Sequence, residues 1–164
     1  MKQAGGFCIS QSTGMPRCHE DNTNSASWDS LVSEGIAHRV KLLGRVPDED
    51  LPTYYGACDL YCLSSIMKTE AFAIVQIEAM SCGKPVVSCN IEGSGVPWVN
   101  KDGESGLVVE PKNSKALATA IRQITTDADL YQRLSAGASQ RFKQLFECDA
   151  MITRCLEIYQ SVLA

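Results

Sequence analysis

The chain has 164 residues, 45% of them hydrophobic and 21% charged. That length excludes two full α/β lobes, and that composition excludes a disordered chain. Fifteen basic against 19 acidic residues leave a formal charge of −4, which argues against a nucleic-acid partner.

No apolar run approaches the roughly 20 residues of a membrane span. The N-terminal stretch Met1–Cys8 is too short in apolar residues for a signal peptide, so a cytoplasmic location is expected. Cysteines stand at 8, 18, 58, 62, 82, 89, 148 and 155, none in a CxxC pair. Most lie in apolar runs, where cysteine acts as a small hydrophobe, so buried, reduced thiols are expected and no metal site.

Residues 10–30 are polar and turn-rich, with Gly14, Pro16, Asn22 and Asn24, and read as a loop. Ser27 to Ala37 reads as a helix with Trp28, Leu31, Val32 and Ile36 on one side. From Arg39 the pattern becomes regular. Apolar runs at 40–43, 60–63, 85–88 and 106–109 alternate with helical segments, the pattern of βαβ units and a parallel sheet of about five or six strands. Domain assignment follows this break: 1–38 forms an incomplete or irregular N-terminal part, and 39–164 the regular domain.

Asp48-Glu49-Asp50 supplies the acidic first turn of a helix running to about Ala57. A second helix begins near Ala71 and stops at Gly83, with Pro85 beyond. Asn113 caps a helix over 114–125, and another spans roughly 128–145. The last, about 148–162, carries Met151, Cys155, Ile158, Tyr159 and Val162 on one stripe. Part of that stripe is expected to cover the domain's own core.

The segment from Ser64 to Val87 carries the chemistry: strand end, loop, helix, glycine stop, strand. In a parallel sheet the carboxyl ends of strands form the usual ligand crevice. Glu70 falls in that loop and Glu78 about two turns into the helix. Eight helical residues rise roughly 12 Å, too far for one shared proton or metal. The pair is spaced to hold two ends of an elongated ligand, with the amides of 71–74 offered to phosphate between them. A nucleotide sugar has that shape. Acidic residues of a first helical turn and a solvated Glu78 explain the spacing as readily, so spacing alone does not decide.

Glu70 and Glu78 with seven residues between them, then Ala79-Met80, Gly83 and Pro85-Val86-Val87, resemble the donor-site motif of family 4 (group 1) retaining glycosyltransferases of the GT-B fold. The flanks agree: Leu42-Leu43-Gly44-Arg45-Val46, Tyr54-Tyr55, Ala57-Cys58-Asp59-Leu60, Gly93-Ser94-Gly95-Val96-Pro97-Trp98-Val99 and Asp102-Gly103-Glu104-Ser105-Gly106. The resemblance runs from about Arg39 to Leu163. It implies an α/β, three-layer Rossmann-like domain with a parallel sheet, the C-terminal, donor-binding half of a GT-B fold.

The resemblance also implies roles. Glu70 would face the hydroxyls of the transferred sugar, nearest the reaction centre. Glu78 would accept from the ribose hydroxyls, the backbone of Phe72, Ala73 and Ile74 would meet the diphosphate and sugar, and the backbone of Val46 the base. The implied enzyme transfers a hexose from a GDP- or UDP-sugar to a glycan or lipid-linked acceptor, with no cofactor and no metal, in polysaccharide or lipopolysaccharide assembly. Its acceptor-binding N-terminal lobe has no counterpart in these 164 residues, and peripheral membrane association would belong to the longer enzyme.

Two departures stand out. Position 73 is usually glycine in this motif, and Ala73 adds a methyl where a ligand approaches, expected to shift the donor pose or weaken binding, and harmless if its φ is negative. The Arg and Lys that neutralise the leaving diphosphate have no clear counterpart, so negligible transfer is expected from this chain alone. A nucleotide-sugar epimerase fragment and a non-catalytic nucleotide-sugar-binding module are the competing readings. Trp98 is expected to be buried, and Arg133, Arg141, Lys143 and Arg154 to form a solvated face.

Overall fold

The computed structural model describes residues 8–10, 29, 32–41, 43 and 46–163, with the side chains of 8–10 left aside. The chain forms two compact units, residues 14–51 and residues 1–13 with 52–164.

In the smaller unit, positions 29, 32 and 33 are helical, and Gly35 turns the chain at φ +68 into a 3₁₀ turn, Ala37–Arg39. Trp28 and Leu31 lie outside the described residues. The strand expected over 40–43 does not form at positions 40, 41 or 43. A short apolar run becomes a strand only when a neighbour accepts its hydrogen bonds, and no described residue of this unit is in a strand.

The larger unit is a parallel α/β layer structure. Its strands are β1 (Cys8–Ser10), β2 (Leu60–Leu63), β3 (Val86–Cys89) and β4 (Gly106–Val109). They pair in that order, every pair parallel, with Tyr61 opposite Val86 and Val87 opposite Leu107. These are the described strands, four against the five or six expected. Every residue of β2 and β3 is buried, as befits strands covered on both faces. Helices follow between and after them: α1 (Leu51–Ala57), α2 (Ile74–Ser81), α3 (Val96–Val99), α4 (Ser114–Thr126), α5 (Ala128–Leu145) and α6 (Cys148–Leu163).

Side chains alternate across the strands. Leu60, Cys62 and Val87 form a cluster with Ala120, Ile124 and Leu134 of α4 and α5. Tyr61, between them in sequence, meets Tyr55 of α1 edge-on, centroids 5.8 Å apart. The helix ends are chemically marked. Asn113 Oδ1 accepts from the Ala116 amide and Asp127 Oδ1 from the Leu130 amide, both at 2.9 Å. α2 ends in a Schellman pair: Gly83 N–H donates to the Met80 carbonyl at 2.9 Å and Lys84 N–H to that of Ala79 at 3.0 Å, with Gly83 at φ +67.

Below the site, Asn100 is fully buried between β3 and β4, its amide nitrogen 2.9 Å from Ser88 Oγ and 3.2 Å from the Val86 carbonyl. Glycine at 106 permits this closeness, since a Cβ there would collide with the Val86 carbonyl oxygen.

Three expectations are corrected here. No residue of α6 is buried: Met151, Ile158, Tyr159 and Val162 are 52%, 59%, 66% and 79% exposed, so the stripe covers none of the core. α4 and α5 already complete the layer over β2–β4, and α6 packs on α5 alone among the well-contacted elements. Arg141 is buried rather than solvated: it donates to the carbonyls of Trp98 and Val99, the turn that ends α3, and lies 3.6 Å from Glu104. The Lys101 ammonium, 2.7 Å from Glu104, lowers that carboxyl's pKa. Finally, Cys58, Cys62 and Cys89 are buried as expected, but Cys148 and Cys155 are exposed because α6 is. Among the described residues no helix is long and apolar enough to cross a membrane.

Candidate functional site

The site is built on the carboxyl ends of β2 and β3. After Leu63 the chain leaves the sheet through Ser64 and Ser65 and turns at Met67–Glu70, where the Glu70 amide donates to the Met67 carbonyl at 3.0 Å. Glu70 is 6% exposed, and Ser65 Oγ donates to its Oε2 at 3.2 Å. The loop after β3 braces the same stretch. Ser94 Oγ donates to the Glu70 carbonyl and Gly95 N–H to that of Ala71. Gly95 eases this approach: a Cβ there would stand 3.0 Å from both the Ala71 oxygen and the Phe72 ring, a contact tight enough that its neighbours would have to give slightly.

α2 begins at Ile74, three residues later than expected, because Ala73 sits in the left-handed region at φ 60, ψ 63. That break in the backbone is what delays the helix. The amides of Ile74 and Val75 therefore stand at the mouth with no helical carbonyl to receive them, while Gln76 N–H already turns back to Ala73 at 3.0 Å. Glu78 is the fifth helical residue, one turn in rather than two. Ala73 is 5% exposed, whereas Phe72 and Ile74 turn their side chains outward at 42% and 64%.

Glu78 is neither isolated nor fully solvated. It is half-buried, and the Tyr55 hydroxyl donates to its Oε2 at 2.8 Å. Burial, with the Glu78 carboxylate adding to it, pushes the Tyr55 phenol pKa well above its ordinary value. Glu70, Phe72, Ala73, Ile74 and Glu78 thus lie on one continuous segment of the larger unit. Val46, half-buried, belongs to the smaller one.

Trp98 is 54% exposed, not buried, and forms a cluster with Phe72 and Phe146, centroids 6.0 and 5.6 Å away, under the Arg141 guanidinium at 5.5 Å. Tyr55 and Ser94 stand in the quoted motifs, but motif reading gave neither side chain a role. Ser94 lay in a glycine-containing run and gave no signal. Tyr55 gave a weak one, a large aromatic one helix upstream. Among the described residues no group of three or more His, Cys, Asp or Glu is gathered to hold a metal.

A parallel sheet whose strand ends open onto a glycine-containing loop and a helix mouth is the α/β architecture in which ligands sit at the carboxyl ends of the strands. The family model for glycosyl transferases group 1 matches residues 29–141, and the chain belongs to that family. It is 30% identical over 124 residues to O-antigen chain mannosyltransferase C of Escherichia coli, covering 76% of this chain and 33% of that protein. A crystal structure of Anabaena Alr3699/HepE in complex with UDP superposes with a TM-score of 0.75 at 29% identity, over 87% of this chain and 38% of that one. The C-terminal domain of a glycosyl transferase group 1 family protein from Francisella tularensis shares the fold at TM-score 0.69 and 20% identity, over 82% of this chain and 66% of that one. The fold is therefore the C-terminal half of GT-B. The chain spans about a third of the E. coli relative and 26% of a second curated relative.

Proposed function

We propose that this chain is the donor-binding domain of a retaining glycosyltransferase, holding a UDP- or GDP-hexose along the segment from Glu70 to Glu78. The supporting observation is the continuity of that segment: a buried carboxylate, an open helix mouth and a second, oriented carboxylate follow one another at the carboxyl edge of the sheet. Glu70 takes the hydroxyls of the sugar and Glu78 those of the ribose. The Ile74 and Val75 amides meet the diphosphate, where helix dipole and N–H groups favour negative charge without a metal.

Transfer requires charge stabilisation of the departing diphosphate and a second wall bearing the acceptor. We assign both to a longer enzyme that transfers the hexose to a glycan or lipid-linked acceptor in polysaccharide assembly, and peripheral membrane contact belongs there too. The likeness to an O-antigen mannosyltransferase and the share of it that this chain spans support this reading. The 164-residue chain is expected to bind donor and not to turn it over.

The test is calorimetric titration of UDP-, GDP- and ADP-sugars against the chain and its Glu78→Ala variant. One base should bind, and the variant should lose about tenfold or more, since a charged hydrogen-bond acceptor contributes roughly 1.5–3 kcal/mol. Binding of all three donors with no dependence on Glu78 would overturn the assignment.

A further inference from the structure

We propose that Tyr55 is a positioning residue of this site, its hydroxyl orienting the Glu78 carboxylate to receive a vicinal diol. The inference rests on the donor-site reading above and adds to it a residue from a different element. Tyr55 lies on α1, Glu78 on α2, and one hydrogen bond of 2.8 Å joins them across 23 residues of sequence. The tyrosine is rigid: it is 3% exposed and its ring is held against Tyr61 at an interplanar angle of 61°. A fixed donor thus grips a flexible acceptor.

The polarity of the bond sets its consequence. The phenol's raised pKa keeps it an O–H at any physiological pH, and an ionised carboxylate only accepts, so the tyrosine donates. With Oε2 gripped, Glu78 keeps one orientation, and its remaining lone pairs call for further O–H donors. Two adjacent hydroxyls supply them. A ribose diol fits that demand, and a deoxyribose meets it only by half. Without the Tyr55 hydroxyl, Glu78 is a half-buried helix side chain that must be ordered anew when ligand binds.

The measurement is titration of UDP, GDP and their 2′-deoxy counterparts into the wild-type chain, Tyr55→Phe, Glu78→Gln and the double variant, with melting temperatures alongside. Tyr55→Phe should weaken the ribonucleotide that binds by about three- to tenfold, the range for ordering one rotamer-rich side chain. It should weaken the deoxynucleotide much less, and cause no further loss once Glu78 is Gln. Melting should move by only a few degrees, because phenylalanine leaves no buried polar atom behind. Wild-type affinity in Tyr55→Phe, or equal losses for ribo and deoxy forms, would refute the positioning role while leaving the donor site standing. Ribonucleotide binding indifferent to Glu78→Gln would bring down the donor site, and this role with it.

Discussion

Ala73 concentrates a conflict between backbone and side chain. At φ 60 an L-residue carries roughly 1–2 kcal/mol of strain that glycine avoids, and the methyl is buried, so water gives no relief. Ala73→Gly should therefore raise stability by about 0.5–1 kcal/mol, or about 1–4 °C in melting temperature, after the entropy of the more flexible unfolded chain is deducted. Ala73→Val should lower it by about 2–3 kcal/mol, since a β-branched side chain tolerates this region least. Thermal melts of the two variants check both signs. A motif expects glycine here, and the structure gives the physical reason, but no sequence pattern states the sign of φ. The same limit hid Tyr55: an aromatic near a helix end looks like core until its hydroxyl is seen on Glu78.

Among the elements, strand reading succeeded where each run pairs with a neighbour in the parallel sheet. Residues 60–63 and 106–109 stand as expected, and the run at 85–88 is shifted by one residue. It failed at 40, 41 and 43, where the apolar run is equally good but no described residue of the smaller unit is in a strand to pair with it. Pairing is non-local and composition does not reveal it. Helix ends were legible when a single residue sets them, as with Asn113 and Gly83, and illegible when strain at Ala73 moved the start. Gly137 in α5 tests how far local propensity yields to packing. Alanine in a helix interior normally gains about 1 kcal/mol over glycine. Here a Cβ would collide with the Glu104 carbonyl oxygen, in the turn leading into β4. Gly137→Ala should instead cost about 2 kcal/mol or more, read as a drop of roughly 4–8 °C in a thermal melt.

For the molecule as a whole, α6 is the described α-helix that burial holds least. It buries no side chain, while its apolar stripe faces outward. Removing residues 148–164 should leave the melting temperature of the remaining domain within a few degrees, because no fully buried side chain is lost with it. Binding of a hydrophobic dye should fall in the same variant. The periodicity of that helix was plain in the sequence, but periodicity says only that a face is apolar, not what covers it. The serial order of the strands has a different reach. Because β2, β3 and β4 pair with their immediate successors, a polypeptide emerging from the ribosome meets each of these partners within a few dozen residues of synthesis. Only β1 must wait, tethered by a span of about fifty residues, until Leu60–Leu63 appears. Among the described strand pairs this one closes across the longest sequence separation, so it carries the largest chain-closure entropy of the three.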